Sequence, residues 1–365
     1  MSLVKKRRKT RQICVGSVAV GSDAVISVQS MTNTDTRDVR ATVAQILTLE
    51  RAGCDIIRVA VPDMDAALAI EKIKDGISIP LIADIHFDYR LALASAKAGA
   101  NALRINPGNI GAARKIKAVV DCATEYDIPI RIGVNAGSLE KEIEQKFGPT
   151  PEAMVESALT NIRILEDLGF RQIKVSLKAS DVERTVTAYR LLADKTDVPF
   201  HLGVTEAGGL YAGITKSAIG IGMLLSEGIG DTLRVSLTRD PVEEIRTGYE
   251  ILRALGIRNR GPELISCPTC GRCRMDLFKI ARQTEKALLE RTSQIKVAIM
   301  GCEVNGPGEA KEADIGIAGG GKGKGILFKH GKVVRKINEE DLVDQLLSEI
   351  DKMTIKSEDT NGKKE

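Results

Sequence analysis

Four of the seven cysteines lie close together in the last third of the chain. Cys267, Cys270 and Cys273 form a CxxCxxC run, and Cys302 follows it. Such a run with a remote fourth cysteine is typical of cubane iron–sulfur clusters. Zinc sites more often use two separated CxxC pairs, and the sequence has no second CxxC, which favours iron–sulfur over zinc. Spacing alone makes these four cysteines the ligands, although the Gly/Pro-rich turn after Cys302 could bring Glu309 to the same centre.

Polar residues recur in phase along several apolar segments before residue 256. Residues two apart on a strand share a face. The positions that share a face in this way are Arg104 with Asn106, Arg131 with Asn135, Lys174 with Ser176 and Lys178, and Arg234 with Ser236, and Arg58 is placed similarly. Strands of parallel sheets are normally apolar on both faces. Buried cations at these positions therefore need an anionic partner.

Asp84 and Glu206 are the acids that could form internal ion pairs with these cations. Two carboxylates cannot together neutralise Arg58, Arg104, Arg131, Lys178 and Arg234. This favours an anionic ligand, and clustered guanidiniums suit phosphate or diphosphate. Glu206 could orient an arginine or act as a general acid or base. His86, two residues after Asp84, could be an acid or base or simply a hydrogen-bonding partner of Asp84. His201 and His330 have no polar companions and receive no role.

Eight short β-branched segments alternate with segments of helical period and must position these residues. The predicted strands are Ala24–Ser30, Ile56–Val61, Ile79–Ile85, Ala102–Asn106, Ile128–Asn135, Gln172–Lys178, Val198–Val204 and Thr232–Thr238. This alternation predicts a parallel sheet, and eight units match a (β/α)₈ TIM barrel, an α/β fold. An open doubly wound sheet is the alternative, but it needs a Gly-rich first turn, which is absent after Ser30. Active sites of such barrels lie where the strands end, as the polar positions do here.

Composition changes divide the chain into four parts. The predicted division is a basic N-terminal arm at 1–23, the barrel at 24–256, a smaller α+β domain at 257–351 and a disordered tail at 352–365. The elements predicted in the smaller domain are a strand at Ile295–Met300, a hairpin of Ile315–Ile317 with Ile326–Ile337, and a helix at Glu339–Ile350.

Composition also excludes several classes of protein. Hydrophobic residues make up 43% and charged residues 28% of the chain, which excludes general disorder. No apolar run is long enough to cross a membrane, and no secretory signal precedes the barrel, so a cytoplasmic protein is expected. The net charge of +4 comes from the arm, whose basic residues could touch nucleic acid but are expected to be simply solvated. Aromatic residues make up 3%, so stacking on nucleic acid is not expected.

Several longer motifs carry a family resemblance. They are Ser30-Met31-Thr32-Asn33-Thr34, Ala83-Asp84-Ile85-His86-Phe87, Leu103-Arg104-Ile105-Asn106-Pro107-Gly108-Asn109, Arg131-Ile132-Gly133-Val134-Asn135-Ala136-Gly137-Ser138, Ser176-Leu177-Lys178, Thr205-Glu206-Ala207-Gly208, Cys267-Pro268-Thr269-Cys270-Gly271-Arg272, Gly301-Cys302, and Asn305-Gly306-Pro307-Gly308-Glu309. With these motifs the chain resembles, over residues 8–350, the bacterial 4-hydroxy-3-methylbut-2-enyl diphosphate synthases of the methylerythritol phosphate pathway of isoprenoid synthesis.

The resemblance implies a TIM barrel followed by a [4Fe–4S] domain like the module of sulfite and nitrite reductases. It implies the reductive ring opening and dehydration of 2-C-methyl-D-erythritol 2,4-cyclodiphosphate, with electrons from flavodoxin or ferredoxin. It also implies a homodimer in which the cluster domain of one subunit caps the barrel of the other. Neither nucleic acid nor a membrane is an expected partner. A zinc-containing barrel aldolase or isomerase with a Schiff base on Lys178, and an RNA-binding protein with a basic arm, are the alternatives.

The resemblance also assigns residues. The implied cluster ligands are Cys267, Cys270, Cys302 and Glu309. This set conflicts with the four-cysteine set from spacing, because the family usually has another residue at the position of Cys273. The implied diphosphate-binding residues are Arg58, Arg104, Asn106, Arg131, Asn135, Lys178, Arg234 and Ser236, with Asn305 reaching the substrate from beside the cluster. Thr205 and Glu206 would contact the hydroxyl-bearing carbons, with Glu206 as proton donor, and Asp84 and His86 would assist them.

Overall fold

The computed structural model describes residues 3–303 and 310–361. The chain forms two units, Met1–Arg258 and Asn259–Glu365, and strands and helices alternate through the first. The strands of the first unit are β1 (Ile13–Val15), β2 (Val18–Val20), β3 (Ser27–Met31), β4 (Ile56–Ala60), β5 (Leu81–Asp84), β6 (Ala102–Ile105), β7 (Ile130–Asn135), β8 (Ile173–Lys178), β9 (His201–Leu202) and β10 (Thr232–Leu233). Its helices are α1 (Val39–Ala52), α2 (Met64–Asp75), α3 (Tyr89–Lys97), α4 (Pro107–Ile110), α5 (Ala113–Glu125), α6 (Lys141–Phe147), α7 (Pro151–Asp167), α8 (Val182–Ala193), α9 (Leu210–Ser226) and α10 (Pro241–Ala254).

The helix ends follow directly from the local sequence. The side chain of Asp38 accepts a hydrogen bond from the backbone N–H of Ala41 and caps the first turn of α1. Gly53 ends the same helix with a φ of 106°, a left-handed conformation that favours glycine. Because such signals recur along the chain, the sequence locates the βα units well.

Strands β3 to β10 form one parallel sheet in the order β8-β7-β6-β5-β4-β3-β10-β9. A parallel bridge between Val175 and Phe200 joins β8 to the segment that leads into β9, so the two ends of the sheet meet. At least one helix follows each strand, and the apolar outward faces of the strands pack against these helices. The predicted TIM barrel is confirmed.

The N-terminal arm is only partly solvated, because Lys5, Lys6 and Lys9 are exposed whereas Arg7 and Arg8 pack against the barrel unit. Arg8 donates to the carbonyl oxygens of Thr196 and Val198, and its guanidinium lies 4.1 Å from the centroid of the Phe200 ring. Arg7 pairs with the buried Asp231 at 2.7 Å. Carboxylate and carbonyl oxygens attract these two arginines, so their charge serves packing.

Strands β1 and β2 form an antiparallel hairpin that closes one end of the barrel interior. Ile13, Val15 and Val20 of the hairpin join Ile56 and Ile82, which lie on strands β4 and β5, in one apolar cluster. This hairpin lies in the segment predicted as an arm, and its strands of three residues are too short for a recognisable alternation.

The second unit contains a five-stranded mixed sheet. Its strands are β11 (Glu263–Ser266), β12 (Lys296–Met300), β13 (Ile315–Gly321), β14 (Lys324–Lys329) and β15 (Lys332–Asn338), and its helices are α11 (Leu277–Leu288) and α12 (Leu342–Asn361). β11, β12 and β13 are parallel neighbours, whereas β14 and β15 are antiparallel.

Three details of the second unit differ from the prediction. The segment 326–337 is two strands rather than one, because a turn with His330 and Gly331 at positive φ divides it. Strand β11 and helix α11 were not predicted. Helix α12 continues to Asn361, through part of the expected disordered tail. Within the described residues, no helix is long and apolar enough to cross a membrane.

Candidate functional site

Besides Lys174, which is described below, five cationic side chains of the barrel strands face the barrel interior. Their neighbours along a strand, such as Ile57 and Val59 on β4, pack in the core against the helices, so strand alternation turns the cations to the opposite side. The five are Arg58 on β4, Arg104 on β6, Arg131 on β7, Lys178 on β8 and Arg234 directly after β10. All except Arg234 are at most 8% exposed. The structure brings together the cations that the sequence places in phase.

Burial and mutual repulsion both act on these cations. Burial lowers the pKa of Arg58 to about 10, and the charges of Arg234 and Arg104 add to that effect. Burial, followed by the charges of the same neighbours, also holds the pKa values of Arg131 and Lys178 well below their usual ranges. An anion bound among these groups would oppose both effects, because it favours their charged forms.

Two buried carboxylates offset part of this charge. Asp84, at the end of β5, accepts a hydrogen bond from Arg104 Nη1 at 3.1 Å and lies 3.6 Å from Arg58 Nε. Burial alone would raise the pKa of Asp84, but these two guanidiniums outweigh it and lower that pKa to about 2. The second carboxylate is Glu244 on α10, which is 4% exposed and lies 3.3 Å from Arg234 Nε.

Glu206 was considered from the sequence as the second acid that could form these ion pairs, but in the structure Glu244 takes that place. Among the described residues, no ion pair joins Glu206 to any of the five cations. Glu244 was missed because a glutamate in the first turn of a helix is ordinarily a solvent-exposed residue that favours the helix dipole. The excess of cations over carboxylates remains, since one acid replaces the other.

Two glycines provide the space that the cations occupy. A Cβ on Gly133 of β7 would lie 2.4 Å from Nε of Arg104. A Cβ on Gly203, directly after β9, would lie 2.6 Å from the carbonyl oxygen of Arg234 and 3.1 Å from Nζ of Lys178. Both side chains therefore rest directly on the inward backbone of neighbouring strands. The Gly133 motif carries part of the family resemblance, but sequence reasoning gave neither glycine a role.

Two predicted site residues at the strand ends have additional local partners. The Asn106 side-chain oxygen accepts a hydrogen bond from Gly108 N at 3.1 Å and caps the short helix α4, which leaves its amide N–H groups for a ligand. His86 Nε2 lies 3.3 Å from Arg104 Nη1 and 3.8 Å from Asp84, so its closer polar neighbour is the arginine. Its side chain is 56% exposed, and it can therefore meet a ligand that enters from solvent.

Thr205 and Glu206 lie in the loop between β9 and α9. Glu206 is exposed and has a φ of 50°, an uncommon left-handed conformation for a residue other than glycine. Backbone strain of this kind concentrates at functional sites. Asn135 and Ser236 are half-buried at or just after the ends of β7 and β10. Asn305 and Glu309 lie outside the described residues.

A second polar layer occupies the barrel interior and was not assigned a function. Lys174 is 1% exposed, its Nζ has no hydrogen-bond partner in the described part of the chain, and burial with the nearby Arg131 charge lowers its pKa to about 7. His201 is fully buried with Nδ1 2.8 Å from Thr232 Oγ1, and burial holds its pKa well below the usual range. Arg131 Nη1 donates to Gln29 at 3.4 Å. The layer thus combines a neutral histidine with a lysine that burial discharges in part, beside one buried arginine.

The second unit contains the cysteine site. The parallel neighbours β11 and β12 end close together. Cys267 directly follows β11, and Cys302 follows β12 after one intervening residue, Gly301. A cavity of about 210 Å³ is lined by four cysteines, Cys267, Cys270, Cys273 and Cys302, together with Pro268, Thr269, Arg272 and Gly301. Sheet topology thus joins the CxxCxxC run to the distant Cys302.

The donors of this cavity suit a sulfur-rich metal group. The backbone N–H of Gly301 donates to Cys267 Sγ at 3.2 Å, and hydrogen bonds of this type tune iron–sulfur clusters. A hydrogen bond from the Arg272 backbone lowers the pKa of the Cys270 thiol and favours its thiolate. Within the described residues, no three His, Cys, Asp or Glu side chains converge as for a single metal ion. A cluster differs in this respect, because its cysteines bind different irons and need not meet at one point.

Two family models match the chain. The model described as the GcpE TIM-barrel domain matches residues 10–249, and that of the GcpE protein C-terminal domain matches residues 263–352. A protein of Geobacter sulfurreducens named 4-hydroxy-3-methylbut-2-en-1-yl diphosphate synthase (flavodoxin) is 60% identical over 95% of this chain and 98% of its own length. A protein of Clostridium perfringens with the same name is 58% identical over 94% of this chain and 99% of its own length. The chain therefore belongs to the GcpE family.

Proposed function

We propose that this protein is a 4-hydroxy-3-methylbut-2-en-1-yl diphosphate synthase that converts 2-C-methyl-D-erythritol 2,4-cyclodiphosphate into the linear allylic diphosphate. Two electrons enter, a ring C–O bond to phosphate breaks, and a hydroxyl group leaves as water after it gains a proton. The observation that carries the proposal is the excess of buried positive charge in the barrel, five cations against the carboxylates of Asp84 and Glu244. A diphosphate supplies the missing negative charge.

The cationic residues hold the diphosphate, and the surrounding residues orient it. Asp84 fixes the Arg104 guanidinium, and Glu244 fixes that of Arg234, so both present a set direction to the ligand. Asn106, Asn135 and Ser236 supply neutral hydrogen-bond donors around the same ligand. The remaining members of the diphosphate-binding set are Arg58, Arg131 and Lys178, with Asn305 joining from the second unit.

Thr205 and Glu206 meet the carbon end of the substrate. Glu206 is exposed in a loop at the carboxyl end of β9, and its carboxyl group delivers the proton with which the hydroxyl leaves as water. His86 contacts both Arg104 and solvent and assists the proton transfer.

The cofactor is a [4Fe–4S] cluster held by Cys267, Cys270, Cys302 and Glu309. When bound, it supplies the electrons for the reduction one at a time. A carboxylate is a weaker ligand for iron than a thiolate and leaves one position open to exchange, as catalytic metals require. The thiol donors of the cavity support this set, and Glu309 enters it from the sequence motif.

The electron donor is flavodoxin, which the names of the relatives include. The active protein is a cytoplasmic homodimer whose active site combines the barrel of one subunit with the cluster unit of the other. A mixed dimer tests the sharing: a subunit with Glu206→Gln and one with Cys267→Ser should restore activity together. A mixture that stays inactive would contradict a shared site.

The decisive experiment is anaerobic turnover of the cyclic diphosphate with a low-potential reductant. We expect a brown protein that absorbs near ~400 nm and forms the linear product. Glu206→Gln should lower kcat by about 100-fold or more with little change in KM, because general acid catalysis contributes about 10²–10⁴-fold. A colourless zinc protein, or a brown protein that leaves the cyclic diphosphate intact, would refute the proposal.

The zinc-dependent aldolase is not supported. Its strongest feature is Lys178, whose lowered pKa would suit a Schiff base. The relatives carry the name of a reductive synthase instead, and the amine lies among guanidiniums that suit a diphosphate. The RNA-binding alternative loses part of its basis, since Arg7 and Arg8 of the arm are paired within the barrel unit and only Lys5, Lys6 and Lys9 are exposed.

A further inference from the structure

Cys273 is the one cysteine of the CxxCxxC run that the proposed cluster does not use. It nevertheless lines the same cavity as Cys267, Cys270 and Cys302. A Cβ placed on Gly301 would lie 2.8 Å from Cys273 Sγ and 3.5 Å from Cys267 Sγ. The two sulfurs are therefore separated by no more than the sum of these distances, and both lie on the same side of Gly301.

Several hydrogen bonds hold Cys273 in this place. Its backbone N–H donates to the carbonyl of Cys270 at 2.9 Å and closes the turn of the run. The next residue, Arg274, donates its N–H to the carbonyl of Gly301 at 2.8 Å and ties the run to the end of β12. The thiol donates to the carbonyl of Met275 at 3.2 Å. Cys273 is half-buried, and any side chain at position 301 would collide with its sulfur.

We propose that Cys273 is a reserve cluster ligand. Three irons of the proposed cluster are bound by Cys267, Cys270 and Cys302, and Cys273 binds the fourth iron whenever neither a carboxylate nor a substrate oxygen holds it. The inference rests on the proposed function, since it requires the cluster. Soft thiolates are preferred by iron–sulfur clusters over carboxylates. The fixed position of Cys273 in the cavity makes a fourth thiolate available without rearrangement of the sheet.

A permanent fourth thiolate would conflict with catalysis. A site closed by four cysteines is structural, whereas a reacting metal keeps an exchangeable position. Cys273 must therefore release the iron during turnover, so its role is to retain the iron between catalytic events. When Cys273 binds, one ligand of the iron is exchanged for another. The thiol releases its proton to solvent, and no oxidation state changes.

The test compares cluster composition in four proteins reconstituted anaerobically. They are the unchanged chain, Glu309→Ala, Glu309→Ala with Cys273→Ala, and Glu309→Ala with Cys122→Ala, the last being a matched control in helix α5 of the other unit. Iron and acid-labile sulfide are measured per chain. Electron paramagnetic resonance after mild ferricyanide oxidation then detects any three-iron cluster.

We expect Glu309→Ala and its Cys122→Ala control to keep four irons, because Cys273 replaces the carboxylate. The double variant Glu309→Ala, Cys273→Ala should lose one iron per chain and show the three-iron signal. The double variant Glu309→Ala, Cys273→Ser changes the side-chain volume less and should lose the same iron. Equal iron loss with and without Cys273 would overturn the inference, and so would four irons in every variant. An unchanged chain that takes up no cluster would refute the proposed function itself, and with it the role proposed for Cys273.

Discussion

The contact between Gly133 and Arg104 allows the cationic site to be tested through a single methyl group. In Gly133→Ala, the new Cβ would lie 2.4 Å from Nε, 2.7 Å from Nη2 and 2.9 Å from Cζ of Arg104. Real Cβ atoms essentially never approach other heavy atoms within 3.0 Å, so the arginine must move. It cannot swing freely, because its side chain is 8% exposed and its Nη1 is bonded to Asp84 at 3.1 Å.

The size of the effect follows from the bonds that Arg104 gives up. A hydrogen bond to a charged group is worth about 1.5–3 kcal/mol. Loss of one such bond to a diphosphate corresponds to a Kd weakened by about 10-fold to 100-fold, since 1.4 kcal/mol is a factor of ten. The Arg104–Asp84 bond is lost or lengthened as well, so the free energy of unfolding should fall by about 1–3 kcal/mol.

Calorimetric titration with inorganic pyrophosphate measures the binding effect without any need for the cluster. Gly222→Ala in helix α9 is the control, because a Cβ there meets no heavy atom within 4 Å. A double-mutant cycle then identifies the cause. In a background of Arg104→Met, Gly133→Ala should weaken pyrophosphate binding far less than it does in the unchanged chain, because the guanidinium that it displaces is already absent. An unchanged Kd in Gly133→Ala, or the same loss in both backgrounds, would refute the geometry.

Three further predictions concern stability, each measured by denaturant unfolding. The pKa of Asp84 is lowered from 3.8 to about 2, so its ionised form should contribute about 2 kcal/mol of stability above pH 4. This contribution is lost as the pH falls towards 2, and Asp84→Asn should remove this part of the acid dependence of stability. Lys174, with its pKa lowered from 10.5 to about 7, should cost stability at and below pH 7, and the cost should be relieved as the pH rises towards 10. Lys174→Met should therefore stabilise the protein by about 1–4 kcal/mol at pH 7, and a destabilised variant would contradict the absence of a partner for its Nζ. Arg8→Ala should lose about 2–3 kcal/mol, from two hydrogen bonds and the contact with Phe200, and unchanged stability would mean that the arm does not pack.

The barrel was predictable because its signals are local. Each unit has its own strand period, its own cap residues and its own glycine at a helix end, as α1 shows with Asp38 and Gly53. The strand period also predicts which polar residues share a face, and closure of the sheet then converts separate pairs into one site. This is why Arg58, Arg104 and Lys178 could be grouped from the sequence.

Other features depend on tertiary contacts that leave no local signal. Glu244 becomes an interior acid only because α10 packs its first turn over the end of β10. The arm looks like a solvated basic segment until the carboxylate of Asp231 and the carbonyl of Val198 lie within reach of its arginines. The sequence does not distinguish Cys273 from the other cysteines of the run. The folded structure does, because the sulfurs of Cys273 and Cys267 both lie close to Gly301.

The distribution of charge inside the barrel connects stability with binding. The hairpin of β1 and β2 fills one end with apolar side chains, and burial discharges His201 and in part Lys174 in the layer above it. Repulsion among the remaining cations is therefore concentrated where the ligand binds, because the carboxylates of Asp84 and Glu244 balance only part of it. Any anion that enters relieves the repulsion and gains a full set of donors at once, whereas a neutral molecule relieves none. The instability of the empty site would therefore favour the proposed diphosphate over a neutral molecule, and the contacts in the occupied site would have to distinguish it from other anions.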